Sequence, residues 1–294
     1  QDEVAPPLLS TIPTRSPEEP FLSHAAVDLV GKEQIDEIQA ATTGDALMDL
    51  PGVSILTLSS STSAPVLRGL YGQRIALTFD GIPLMHPTVM PGPSWLAGTV
   101  DPLSLEGVEV IRGASQTTAG AFAMGGVVNF IPDLPQVHPL VSSRADGSAS
   151  FRYGSVDTSQ LVDADLEFQL RETAASLDLS LGNFGSLLNG AGKQPLTGYD
   201  AISFSLAVRR SMGEEGDLLF YYGTRRLGEL HQPLDGTDEY MRWPHLDRDL
   251  LYLRYSASDL AFLDTLQATL GLQLFHEEPH YFTDSIDPDD EGAP

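Results

Sequence analysis

The sequence contains no cysteine, which excludes disulfides, thiolate metal ligands and cysteine nucleophiles. It has no apolar run of the ~18 residues that a membrane-spanning helix needs. Basic residues are scarce: 16 Lys and Arg stand against 41 Asp and Glu, a formal net charge of −25 over 294 residues. That balance excludes a nucleic-acid partner held by phosphate contacts. The chain starts at Gln1 without a Met or a basic-then-apolar leader, and so reads as a mature secreted product or an excised piece. No G-x-S-x-G elbow, P-loop or strand-borne G-x-G-x-x-G is present, and no H-E-x-x-H motif is expected. No catalytic residue, resident cofactor or metal site is assigned. What the sequence does have is 27 Gly and 21 Pro, which favour turns and strands over a helical bundle.

Three textures follow one another. Residues 1–22, with Pro6, Pro7, Pro13, Pro17 and Pro20, show no hydrophobic period and read as a flexible tether. Residues 23–140 are mixed α/β. Lys32–Ile38 has helical character, and Thr43 is placed to cap a helix with Ala46, Leu47 and Leu50 as its apolar stripe, stopped by Pro51-Gly52. Short strands are expected at Val53–Leu56, Ile75–Phe79, Val108–Ile111 and Val127–Ile131. Asp80-Gly81 supplies a hairpin turn, and Asp101-Pro102 opens a short helix.

From residue 147 to 294 the pattern becomes one of long strands with period two. Val162, Ala164, Leu166, Phe168 and Leu170 alternate with Asp163, Asp165, Glu167 and Gln169. The same scheme recurs along Ala175–Leu181, Ile202–Val208 and Leu266–Leu274, and less cleanly near Phe151, Leu219–Tyr222 and Leu251–Tyr255. Strict alternation means one apolar and one polar face. Either a water-soluble β-sandwich or an outer-membrane barrel produces it. Runs of about ten residues suit a tilted membrane-spanning strand better than an ordinary strand of about five or six. Short connections after Leu170 and Arg209 alternate with long ones after Leu181, Arg225 and Phe275, as barrel rims require.

Five fragments in the middle region carry a specific signal. They are Asp49-Leu50-Pro51-Gly52-Val53; Leu67-Arg68-Gly69; Leu77-Thr78-Phe79-Asp80-Gly81; Val108-Glu109-Val110-Ile111-Arg112-Gly113; and Ala121 to Ile131 with Gly125-Gly126 at its centre. In order and spacing they resemble the plug domain of TonB-dependent outer-membrane receptors. Two positions depart from that family's pattern: Ala114 stands where Pro is common, and Ala119 or Gly120 where Tyr is. No clear TonB box is legible; the nearest stretch, Glu3 to Leu9, contains Pro6 and Pro7.

The resemblance implies an α+β plug domain followed by an incomplete antiparallel transmembrane β-barrel, about seven strands of an expected 22. It implies import of a scarce ligand of the iron-siderophore, haem or cobalamin class across the outer membrane of a Gram-negative bacterium, the plug gating the lumen. Iron or cobalt would then be cargo. The implied partners are the TonB-ExbB-ExbD complex through the tether, outer-membrane lipid, and further barrel strands from a longer chain or a second one. The alternative is a soluble or surface β-sandwich that binds a ligand without transport.

Particular residues follow from both lines. Gly52, Gly69, Gly81, Gly113, Gly125 and Gly126 fall at element ends, where left-handed backbone or close approach is needed. Arg68 and Arg112 are suited to bidentate carboxylate pairing, and the resemblance implies that they anchor the plug to barrel glutamates. Solvated strand-end arginines are the plain alternative. Asp163, Asp165, Glu167 and Asp178 would face the lumen. The loop after Gly81 offers Met85, His86, Met90 and Trp95 for cargo contact. His86 with nearby Met is chemically able to ligate haem iron or copper, although such residues more often only pack. Acidic loops around Asp235–Glu239 and Asp284–Glu291 match no calcium-loop spacing and read as solvated.

Overall fold

The computed structural model describes residues 25–57, 61, 63–84, 93–113, 123–190, 192–193, 196–213, 216–233, 240–260, 263–278 and 280–282. The chain divides between Asp133 and Leu134 into two compact units.

In the first unit, strands β1 (Ala26–Gly31), β4 (Ile75–Phe79), β5 (Ile82–Pro83), β6 (Leu105–Arg112) and β7 (Gly126–Pro132) form one mixed sheet in the order β1-β6-β7-β4-β5. Only the β4–β7 pairing is parallel. A separate hairpin pairs β2 (Val53–Thr57) with β3 (Ser63–Leu67). Every residue of β4 is buried, as is nearly all of β7, which is why these segments read as continuous apolar runs without alternation. Helix α1 (Lys32–Glu37) starts at Gly31, whose amide donates to Gln34 Oε1, and buries Ile35.

Two strands were not legible. β1 has only Val30 buried, and β3 carries Pro65, a residue tolerated only in edge positions. The expected helix after Thr43 is also corrected. The chain makes a single 3-10 turn at Asp45–Leu47, and the Thr43 hydroxyl donates to the Ala97 carbonyl at 2.9 Å. The Asp45 carboxylate accepts from the amides of Ala41 and Thr42 instead, folding the segment back on itself. Asp101 does cap the turn at Pro102–Ser104, accepting from the Leu103 amide.

A salt bridge between Lys32 and Asp133 spans 2.6 Å, with both side chains more than a third exposed, so its contribution is small. Beside it, burial and then the negative charge of Asp133 push the Glu106 carboxyl above its ordinary value, and Lys32 opposes them. Folded protein therefore holds this proton more tightly than unfolded chain. The resulting stability is complete below the unfolded glutamate pKa and is lost as pH rises through the raised folded value. Glu106→Gln should remove that loss: thermal unfolding of the variant and the parent should coincide near pH 4, with the variant the more stable at pH 7.

In the second unit, seven long antiparallel strands run in the order β16-β15-β14-β13-β10-β9-β8. They are β8 (Ser143–Tyr153), β9 (Gln160–Leu170), β10 (Thr173–Phe184), β13 (Tyr199–Ser211), β14 (Gly216–Pro233), β15 (Tyr240–Leu260) and β16 (Leu263–Glu277). Short β11 (Leu188–Asn189) and β12 (Gly192–Lys193) pair with each other, and β17 (His280–Phe282) pairs with β15. The region expected to be a long loop after Arg225 is largely strand. β14 and β15 stay in register from Gly228 opposite His245 to Pro233 opposite Tyr240, and a bidentate Arg242–Glu229 pair lies within that extension. The extension lies past the strictly alternating part of these strands, and nothing in its sequence marks period two.

The two faces of this sheet are inverted relative to a soluble protein. Ile202 is 50 % exposed and Leu270 79 %, whereas Ser203 and Gln169 on the opposite face are 7 % and 4 % exposed. A water-soluble sandwich buries its apolar face; here that face points outward, as lipid requires.

Candidate functional site

The glycine-rich fragments of the first unit meet at one corner. The turn Pro51-Gly52 precedes β2, Arg68-Gly69 follows β3, Arg112-Gly113 ends β6 and Gly125-Gly126 opens β7. The Arg68 amide donates to the Gly52 carbonyl at 3.1 Å, the Gly113 amide to the Gly125 carbonyl at 3.0 Å, and the Gly125 amide to the Arg74 carbonyl at 2.7 Å. Gly52, Gly69, Gly81, Gly113 and Gly126 have positive φ, and Gly125 does not. At Gly126, φ is +146°, and a Cβ there would overlap the Ile111 carbonyl and lie 2.8 Å from Leu67 Cδ1. At Gly125 a Cβ would lie 2.9 Å from that of Leu70. No side chain fits at either position.

The two arginines of this corner are held differently. Arg112 makes a 2.5 Å ion pair with Asp28 and donates to the Pro51 carbonyl. The Arg68 side chain is exposed, and no ion pair reaches it among the described residues. Its guanidinium lies close to Gly113, 3.8 Å from where a Cβ would stand.

A buried polar row crosses the centre of the sheet, and reading the sequence did not single it out. Thr78, Asn129 and Glu109 lie side by side on β4, β7 and β6. The Asn129 side-chain carbonyl accepts from the Thr78 hydroxyl at 2.8 Å and from the Gly81 amide at 3.0 Å, and its amide donates to Glu109 at 3.3 Å. Glu109 is fully buried. The signal was present: one amide and one carboxylate, each flanked by apolar residues on both sides. The row fixes the Asp80-Gly81 hairpin, where both residues have positive φ, and so sets the base of the loop that follows. Of the candidates in that loop, Met85, His86 and Met90 lie outside the described residues, as does the side chain of Trp95, whose backbone belongs to the 3-10 segment Pro93–Thr99.

On the inward face of the second unit, Asp163, Asp165, Glu167 and Asp178 lie opposite the exposed apolar side. Asp165 faces Asp178 across β9 and β10, and each carboxylate accepts from a serine, Ser148 and Ser205 respectively. The other end of the same face is basic. Arg225 and Arg248 stand directly opposite each other on β14 and β15, both nearly fully buried, with Arg225 donating to Ser203 at 2.8 Å. Tyr221 and Tyr252 stack at 5.0 Å, and Arg254 lies over the Tyr252 ring at 5.3 Å. Sequence reading missed this basic pole because only the register between β14 and β15 brings these residues together.

The string His276-Glu277-Glu278-Pro279-His280 does spell H-E-x-x-H, contrary to the expectation that no such motif is present. The zinc motif needs both histidines on one helical face. Here His276 belongs to β16 and His280 to β17, with His276 3.5 Å from Glu278. Among the described residues no three His, Asp or Glu side chains are grouped to hold a metal ion.

The sequence model of the family described as TonB-dependent Receptor Plug Domain matches residues 22–127. The chain carries the plug domain of TonB-dependent receptors. It is 32 % identical over 126 residues to a ferrioxamine receptor of Yersinia enterocolitica, a match covering 42 % of this chain and 17 % of that protein. Against the vitamin B12 transporter BtuB of Photobacterium profundum it is 31 % identical over 113 residues, covering 36 % and 17 %. The solved structure of the copper transporter OprC shares the fold, with a TM-score of 0.72 and 20 % identity over 85 % of this chain and 37 % of that one. The match therefore spans less than half the length of each of these proteins. The first unit contains the receptor plug, and the second has the fold of part of an outer-membrane β-barrel. The location is the outer membrane of a Gram-negative bacterium.

Proposed function

We propose that this receptor imports a scarce chelate of the ferric-siderophore, haem or cobalamin class, with the plug gating the barrel lumen. One observation carries the reading: a plug domain immediately precedes a sheet whose apolar side faces outward. In this proposal cargo meets the loop after the Asp80-Gly81 hairpin, through Met85, His86, Met90 and Trp95, and the buried Asn129 row holds the base of that loop. TonB-ExbB-ExbD acts through the residues before β1, and the remaining wall comes from further strands. Anchoring of the plug to barrel glutamates is proposed for Arg68 and Arg112; for Arg112 it would compete with the Asp28 pair. The protein acts as receptor and transporter, with no catalytic step.

Deletion of the gene in its host, followed by supply of one ferric hydroxamate, haem or cobalamin at a time, tests the proposal. Uptake of one of the three should be lost, and restored by the wild-type gene. Unchanged uptake of all three would overturn it.

A further inference from the structure

Among the described residues the plug begins at β1, an edge strand that is weakly embedded in its sheet. It pairs on one side only, with β6. Val30 is its single buried residue, helped by the half-buried Val27 packing against Ile111 and Val127. By contrast, β4 is buried along its whole length. An edge strand with so little apolar cover peels readily unless something else retains it.

Arg112 is placed to do so. In the β1–β6 register it stands opposite Ala26, and Asp28 stands opposite Val110. The two charged residues are therefore diagonal neighbours on one face, close enough for long side chains to pair. The guanidinium binds Asp28 with one nitrogen and the Pro51 carbonyl with another. It thus joins three segments distant in sequence: β1, the end of β6 and the turn before β2. The planar fork of arginine serves the Asp28 charge and the Pro51 carbonyl at once, which the point charge of lysine does less well. Only 15 % of the Arg112 side chain and 26 % of that of Asp28 is exposed, so solvent screens the pair less than a surface bridge.

We propose that Arg112 is an internal clasp that keeps β1 on the sheet, located at the end of the strand where the chain enters. Any displacement of the plug that begins from the residues before Ala26 has to break the Asp28 pair first. The link to a pull on those residues rests on the transport reading; the clasp itself does not.

Hydrogen exchange on the full-length receptor in detergent tests the clasp without any cargo. Asp28→Asn and Arg112→Gln should each raise exchange of the β1 amides roughly tenfold, Arg112→Lys should raise it less, and the double variant should be no worse than either single change. Amides of β7 should be unaffected, and Arg68→Gln should leave β1 unchanged. Unchanged β1 exchange in Asp28→Asn would overturn the proposal. So would an equal rise in Arg68→Gln, or a rise in β7 as large as in β1, which would signal general loosening. If the exchange results hold while deletion of the gene leaves uptake of all three cargo classes intact, the clasp stands and the transport reading falls.

Discussion

Gly126→Val should unfold the plug, whereas Gly69→Ala, at another positive-φ glycine of the same corner, should leave it folded. At Gly126 the backbone has φ +146°, and an added Cβ overlaps the Ile111 carbonyl on the neighbouring strand. The residue pairs with Arg112 in the β6–β7 ladder and with Ile75 in the β4–β7 ladder, so the strand cannot withdraw without losing both. Backbone strain and overpacking together should cost about 2–6 kcal/mol, a large share of the roughly 5–15 kcal/mol that stabilises a typical domain. At Gly69, φ is +80° and nothing lies within 4 Å of the added atom, leaving a cost of roughly 1–2 kcal/mol from the left-handed backbone alone. Limited proteolysis of the receptor in outer membranes would distinguish them. The plug of Gly126→Val should be digested under conditions that spare Gly69→Ala, and equal resistance would mean that the strand packing described here is wrong.

The second large effect concerns which face of the sheet meets lipid. Leu166 lies on the exposed apolar side, between Gly147 and Leu177 in the ladder, and is 47 % exposed. In water an arginine there would be nearly neutral. Facing the bilayer midplane it should cost about 2–4 kcal/mol, equivalent to a roughly 30- to 900-fold fall in the folded, inserted population. Ser150→Arg on the opposite face, where Asp163 is the cross-strand neighbour, places a positive charge beside a carboxylate and should be tolerated. Urea titration of the full-length receptor in lipid vesicles measures both. Equal tolerance of the two substitutions would remove the lipid-facing assignment.

The alternating strands show why some of this protein was readable and some was not. Where lipid bounds one face, as along Val162–Leu170 or Ile202–Val208, every second residue must be apolar, and the sequence records the strand directly. Past that band the constraint lapses, so the extension of β14 and β15 to Pro233 and Tyr240 looks like a loop although its ladder continues. In the plug, β4 and β7 were visible because both faces are buried. β1 was not, because an edge strand with a single buried residue leaves no apolar run to recognise.

The arginines make the same point at the level of single side chains. That Arg68 and Arg112 matter could be inferred from their glycine neighbours and from the scarcity of other basic residues around them. That one is exposed while the other is committed to Asp28 and Pro51 could not, since Asp28, Pro51 and Arg112 are far apart in the chain. Equally, Asn129 and Glu109 each look like a lone polar residue between apolar neighbours until pairing sets them side by side.

By itself the sequence determined the order of a mixed α/β region before long strands, the turn at Asp80-Gly81 and the two-faced character of those strands. These depend on local backbone preference and on which environment touches each residue, and composition and spacing encode both. Tertiary structure alone decided which face carries exposed apolar side chains, how the charges of the inward face segregate, and which arginine is tied down. Those outcomes depend on pairing between segments distant along the chain, where register rather than residue type sets the neighbours.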